Sequence, residues 1–383
     1  MPVQTQRLVS EFEKLVSFDA ESYHERQIAD YLEERLAGLG LTIYEDRAAQ
    51  LLDEEGVHSA DEESAGNLYG FLAGTAPGEA LLFSSHMDTV SPGKGKKALF
   101  HENGLITSGG DTVLGADDAG GLAVILEMLT VLQEDRIPHP DIEVLFPIAE
   151  EKYSQGGRVL EYERIRARTA YVFDLDGTIG SAALAAPTIL SFSVTIRGKS
   201  AHAGFAPQEG IHAIKAAGDA IARISCGWAD EYTSLNIGLI RGGTQSNIVP
   251  DLAVFSGEIR SLEHERALKM AEELRRIAEE IAAKYGASAR TEITEQVRAY
   301  RTPEDAEAVK RFRRACHVLS LGDGKLIETF GGSDLNQFAQ HGIQGLVVAS
   351  AMQKVHTTEE YTTVQDLEKA AQLAVALVQN KED

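Results

Sequence analysis

Between Glu79 and Gly177, nearly continuous apolar runs alternate with helical patterns: "EALLFSSH", "AGGLAVILEMLTVLQE", "DIEVLFPIAEE", a short helix near "GGRVLEYERI", and "AYVFDLDG". An uninterrupted apolar strand must be covered on both faces. The alternation therefore predicts a buried, largely parallel sheet with helices on either side, a three-layer α/β/α arrangement. Two amphipathic helices precede it, one through Leu8, Phe12, Leu15 and Val16, the other through Ile28, Tyr31, Leu32 and Leu36. The polar stretch "DRAAQLLDEEGVHSADEESAGN" that follows reads as an exposed, solvated excursion without chemistry, leading into strand "LYGFLAG".

Near Pro187 the pattern changes. "TILSFSVTIRGKS" alternates like a half-exposed antiparallel strand, followed by helix "GIHAIKAAGDAIARI", strands "SLNIGLIRGG" and "LAVFSGEIRS", a long charged helix, and "ARTEITEQVRAY". Strand, helix, two strands, helix, strand is the split βαβ order of a ferredoxin-like α+β domain. After Thr302 the chain returns to helix "PEDAEAVKRFRRACHVL", strand "GLVVASAM" and helix "VQDLEKAAQLAVALVQ". The expected organisation is one domain over 1–186 and 302–383 with a second, 187–301, inserted; 383 residues suit two domains of ordinary size.

Composition narrows the partners. Thirty-six Lys and Arg against 59 Asp and Glu give a net charge of −23, and no basic stripe is present to hold a phosphate backbone. Nucleic acid and anionic membrane are excluded as expected partners. The amphipathic amino terminus and the lack of any run of about 18 apolar residues predict a cytoplasmic protein. Cys226 and Cys316 have no CxxC spacing, so any metal must be held by His, Asp and Glu.

Such residues fall at the ends of the apolar runs. "LLFSS" ends at His86, "IEVLFPIA" at Glu150 and Glu151, "AYVF" at Asp174 and "GLVVASAMQKV" at His356, while Asp117 and Asp118 open a helix. Ligands of open α/β sheets bind beyond the carboxyl ends of the strands, so these groups should converge. Singly, each has an ordinary explanation: a helix cap for the aspartate pair, a solvated strand end for the glutamates, a turn for Asp174, a surface position for His356. Together they would repel one another and their pKa values would rise, unless cations are bound among them. Imidazole with carboxylate and no thiolate suits Zn²⁺, Co²⁺ or Mn²⁺, and one carboxylate can bridge two ions roughly 3.5–4 Å apart. In "SSHMDTV", Asp88 is placed to orient the ring of His86. Of the adjacent Glu150 and Glu151, one can ligate while the other moves a proton.

The motifs "SSHMDTV", "LGADDAGGLAVILEML", "PIAEE", "KSAHAG", "SNIVPD", "GEIRS", "GGSDLN" and "VHTTEEY" occur in an order and spacing that resembles the zinc exopeptidases, a family that includes tripeptidase T, dipeptidase V, carnosinase, aminoacylase and glutamate carboxypeptidase. The likeness covers nearly the whole chain and is strongest to the peptidase T-like branch. It implies that His86, Asp117 and Asp174 hold one metal ion and Asp117, Glu151 and His356 a second, with Asp117 bridging. Asp176, in "DLDG", is a rival to Asp174. Glu150 would be the general base, and the peptide bond between Asp117 and Asp118 would be cis. In the inserted domain, His202 resembles the histidine that polarises the scissile carbonyl. Asn247 and Arg260 resemble groups that bind the substrate's carboxylate, and Gly332 resembles a backbone contact to substrate.

The implied activity is that of a dinuclear metallo-exopeptidase, an aminopeptidase acting on short peptides, with two divalent ions, zinc foremost, and an inserted domain that serves as lid and as the contact of a homodimer. Two alternatives stand beside it: an amidohydrolase of the same architecture that removes acyl groups from amino acids, with metals and base unchanged and only the pocket different, and a silent metal-binding dimerisation module, against which an intact Glu150 argues.

Overall fold

The apolar runs form the buried sheet that their alternation predicts. The structure is a computed structural model describing residues 3–379, and among the described residues one sheet has nine strands. Its centre is four parallel strands, in the order Ile142–Phe146, Leu81–Ser84, Thr169–Asp176 and Gln344–Met352. Leu68–Leu72 and then Thr42–Glu45 extend it antiparallel beyond Ile142–Phe146, and Ser181–Ala186 runs antiparallel beside Gln344–Met352. Helix Ala116–Glu134 is apolar almost all round and buried along nearly its whole length, as such a helix must be. Helices Thr5–Val16 and Val364–Gln379 and strand Gln344–Met352 cover it.

The chain divides into two units. The first takes the chain up to Ala185, Arg301–Thr329 and everything from Ser333 onward; the second is Ala186–Tyr300 with Phe330–Gly332. In the second, the main strands lie antiparallel in the order Thr233–Gly242, Leu252–Ser261, Thr188–Arg197, Ser288–Val297. Helices Ala213–Arg223 and His264–Lys284 pack on this sheet over a core that includes Phe192, Val194, Phe255, Leu274 and Ile281. This is the ferredoxin-like topology of the sequence pattern.

The excursion from Asp46 to Asn67 is more ordered than its polarity suggests: it follows strand Thr42–Glu45 of the main sheet, and its helix Ala48–Glu54 buries Ala48, Ala49 and Leu52. Asp46, buried, accepts hydrogen bonds from the backbone of Ala48 (2.9 Å) and from the backbone and amide of Asn67 (both 2.8 Å). Asn67 in turn donates to Gly156 O (2.9 Å) and accepts from Ile148 N–H (3.1 Å). The stretch thus braces the loop that carries Glu150 and Glu151. A second feature that composition did not signal is a small sheet in which Leu105–Ser108 lies between Ala98–Phe100 and Tyr361–Thr363. No described helix is long and apolar enough to cross a membrane.

Candidate metal centre

Because the four central strands are parallel, the segments leaving their carboxyl ends meet at one edge of the sheet. His86 follows Leu81–Ser84 by two residues, Glu150 and Glu151 follow Ile142–Phe146 after a short turn, Asp174 lies near the end of its strand, and His356 follows Gln344–Met352. Asp117 stands at the start of helix Ala116–Glu134, after Gly115 in a left-handed conformation (φ 76°), and its bond to Asp118 is cis.

Asp117 turns one carboxylate oxygen to each histidine. Its Oδ1 lies 3.0 Å from His86 Nε2 and its Oδ2 lies 3.1 Å from His356 Nε2. Asp174 Oδ1 is 3.8 Å from His86 Nε2, and Glu151 Oε1 is 3.0 Å from His356 Nε2. Two trios could therefore each hold an ion, His86–Asp117–Asp174 and Asp117–Glu151–His356, with all candidate ligand atoms of a trio within 4.8 Å of one another. A third combination, His86–Glu150–Glu151, is as compact. Asp176 is exposed and belongs to none of these trios.

The electrostatics of the cluster fit a cation. Burial, with repulsion from neighbouring carboxylates, holds Asp174, Glu150 and Asp118 well above the carboxylate range and raises Glu151 as well. Burial would also raise Asp117, but hydrogen bonds from His356 and His86 outweigh it and keep Asp117 low. Hydrogen bonds to Asp117 and Glu151 push His356 up to about 10. In His86 burial opposes protonation, yet Asp117 and Asp88 raise it well above its ordinary value. Imidazole and carboxylate donors, crowded together and held as proton-sharing pairs, are the set that a borderline divalent ion takes when the protons leave.

Buried hydrogen bonds fix these ligands in place. Asp88 Oδ1 is 3.3 Å from His86 Nδ1 and accepts from Glu150 N–H at 2.8 Å; Oδ2 accepts from Glu151 N–H (3.2 Å) and Ser22 Oγ (2.7 Å). His86 and Asp88 lie beyond the strand proper, so Asp88 orients the glutamate turn as much as the ring. Asp118 accepts from Ser85 Oγ (2.5 Å), His86 N–H (3.3 Å) and Gly121 N–H (3.2 Å), which commits it to the backbone. Gly121 has to be glycine: a Cβ there would lie 2.4 Å from Phe173 O. Ala149 is left-handed (φ 48°), a conformation that costs an L-residue.

Four of these supporting residues had not stood out in the sequence. Glu25, pushed up to about 8 by burial, accepts from Ala149 N–H at 3.0 Å. Glu360, pushed up to about 7 by burial, accepts from Gly115 N–H (2.7 Å) and Asp117 N–H (3.0 Å). Ser22 and Asn67 act as described above. The one available signal was Ser22-x-x-Glu25, which has the form of a capping box before helix Arg26–Gly38. The structure uses both side chains on the loops of the centre instead.

The other expected site residues lie in the second unit. His202 is exposed, stacks on Phe205 at 4.2 Å and accepts from Gly204 N–H through Nδ1 (3.1 Å). It pairs with Ile248 across a two-residue ladder, and Asn247 O accepts from Ala203 N–H (2.9 Å), so His202 and Asn247 are neighbours. Arg260 is paired with Glu258 through Nε (2.8 Å) and a terminal nitrogen (3.2 Å), and donates to Phe330 O at 2.7 Å, which places it beside the turn that holds Gly332.

Known proteins resemble the chain over nearly its whole length. Residues 184–286 match the peptidase dimerisation domain family and residues 67–203 match peptidase family M28. A tripeptidase from Staphylococcus aureus is 32% identical with 98% of each chain covered and a TM-score of 0.92. The aminopeptidase PepT from Bacillus cereus is 37% identical with 99% of each covered and a TM-score of 0.89. The uncharacterized protein YqjE of Bacillus subtilis is 36% identical over 378 residues, 98% of this chain and 99% of that one. Fold and cluster together define a metallopeptidase, a hydrolase of peptide bonds. The chain belongs to the peptidase T-like family of tripeptidases and aminopeptidases.

Metal uptake should be linked to protons. His356 and the carboxyl groups of Glu151 and Asp174 have raised pKa values in the cation-free chain, and each must lose its proton to ligate. Calorimetric titration with Zn²⁺ near pH 7.5 in buffers of different ionisation enthalpy should therefore show net proton release, with affinity falling as pH is lowered. Binding without proton release would contradict this account of the cluster.

Proposed function

We propose that the chain is a dinuclear zinc-dependent aminopeptidase that removes the N-terminal residue from short peptides. What supports the reading above all is Asp117, shared by two His-containing trios with one oxygen toward each histidine. His86, Asp117 and Asp174 would hold one ion, and Asp117, Glu151 and His356 the other. When bound, such ions supply Lewis acidity to a peptide carbonyl and to water.

The protein's own groups supply the rest. Glu150 accepts a proton from the attacking water and returns it to the leaving amine; burial holds its pKa above the ordinary carboxylate value, the direction that makes a carboxylate a stronger base. Asp88 holds the backbone of Glu150 and Glu151 through the two N–H bonds it accepts. In the second unit, His202 would donate to the carbonyl oxygen, and Asn247, Arg260 and Gly332 would bind the peptide. For Arg260 this means exchanging Glu258 for the peptide's carboxylate.

Glu150→Gln keeps the shape of the side chain and removes the base. It should retain bound metal while losing roughly 10²–10⁴-fold in kcat, measured with a panel of free tripeptides beside N-acyl amino acids. Full activity in this variant would sink the mechanism, and cleavage confined to the N-acyl compounds would make the enzyme a deacylase.

The match of residues 184–286 to a peptidase dimerisation domain supports a homodimer through the second unit. Outer strand Thr233–Gly242 pairs on one side with Gly227–Trp228 only at Leu235 and Ser234, and its Leu239 and Ile240 are 62% and 56% exposed, an open edge of the kind that pairs with a second chain. Light scattering should give twice the chain mass for the wild type and a shift toward monomer for Ile240→Lys; a monomeric wild type would refute the dimer.

A further inference from the structure

The loop that carries Glu150 is also gripped from the side away from Asp88. Ser154, 1% exposed, is left-handed (φ 53°), as is Tyr153 before it (φ 63°), and two successive non-glycine residues in this region mark a backbone held under constraint. The Ser154 N–H donates to Glu150 O at 2.7 Å, and its Oγ donates to Glu150 Oε1 at 3.3 Å. The carboxyl of Asp334 is close enough for Ser154 to lower its pKa against the rise to about 7 that burial causes.

Asp334 is itself 1% exposed, and its Oδ1 has no partner. It opens helix Asp334–Gln340, whose start is already closed by a capping box in which Ser333 N–H donates to Asn336 Oδ1 at 3.0 Å. The helix start therefore does not account for a carboxyl buried here, where burying one costs free energy unless it is hydrogen-bonded. The chain also makes room for it. A Cβ on Gly157 would lie 2.7 Å from Asp334 Oδ1, so the backbone beyond Ser154 closes on Asp334 as far as a glycine allows.

A hydroxyl has one proton and two lone pairs, so it can donate to one carboxyl while accepting from another. We propose that Ser154 and Asp334 are positioning residues for Glu150: the Ser154 hydroxyl bridges the two carboxyl groups and fixes the direction of the Glu150 carboxylate. This rests on Glu150 as the general base. Asp88 sets the backbone of Glu150, and the bridge sets its side chain, so both halves of its position are held by buried groups.

The test is a double-mutant cycle in the full-length, metal-reconstituted enzyme, with metal content, unfolding temperature and a crystal structure of Ser154→Ala as readouts beside activity. Ser154→Ala and Asp334→Ala should each lower kcat about tenfold, as small misplacements of a reacting group do, with KM changed by less than about twofold and metal content kept. The double variant should be no slower than the slower single, since both act through one bridge. Asp334→Asn, which keeps a hydrogen-bonding group, should recover most of the loss, and Glu150 Oε1 should be displaced in the Ser154→Ala structure. Multiplicative losses in the double variant would overturn the proposal. So would unchanged kcat in the single variants while Glu150→Ala is inactive. An active Glu150→Ala would instead overturn the general-base reading and the bridge with it. If Asp334→Ala does not fold, Ser154→Ala alone decides, and an unchanged kcat with an unmoved Glu150 refutes the bridge.

Discussion

The structure depends on a crowd of acids buried where a parallel sheet ends. Asp88, Asp117, Asp118 and Glu150 are all under 10% exposed, and Glu151 and Asp174 stand beside them. Like charges so close cannot all ionise in a low-dielectric site, and the raised carboxyl groups and protonated histidines express that conflict. On the function proposed above, the members of the two trios resolve it by exchanging protons for divalent cations. The sheet, the largely apolar helix behind it and the turns at its edge can be understood as the frame that keeps this crowd from relaxing apart.

That frame works through the backbone more than through the ligands. Asp88 binds the N–H groups of Glu150 and Glu151, Glu360 those of Gly115 and Asp117, and Glu25 that of Ala149. Carboxylates outside the two trios thereby hold the turns that carry the trios. Such buried, hydrogen-bonded acids rigidify a site at the expense of desolvation, and an active centre whose donors must stay within a fraction of an ångström benefits from that rigidity. The Ser154–Asp334 bridge extends the same device from backbone to side chain.

How much of this the sequence reveals follows from range. His86, Asp117, Glu150, Glu151, Asp174 and His356 could be picked out because each ends an apolar run or opens a helix, and strand direction alone brings such ends together. The split βαβ order of the second unit was equally plain from local periodicity. Glu360 falls within the motif "VHTTEEY" and Glu25 within a capping-box pattern, but their roles do not show because their partners are 245 and 124 positions away, and no window of sequence holds both ends of such a contact. The stretch from Asp46 to Asn67 departs from its sequence pattern for a related reason: Asp46 and Asn67 look like solvated polar residues until the chain closes over them.

The most direct test of the central claim is metal stoichiometry across three variants. The account predicts about two ions per wild-type chain, the loss of one in His356→Ala with the His86 site still filled, and the loss of both in Asp117→Ala, because only Asp117 serves the two trios. One ion in the wild type, or an Asp117→Ala variant that keeps one ion at full affinity, would contradict it.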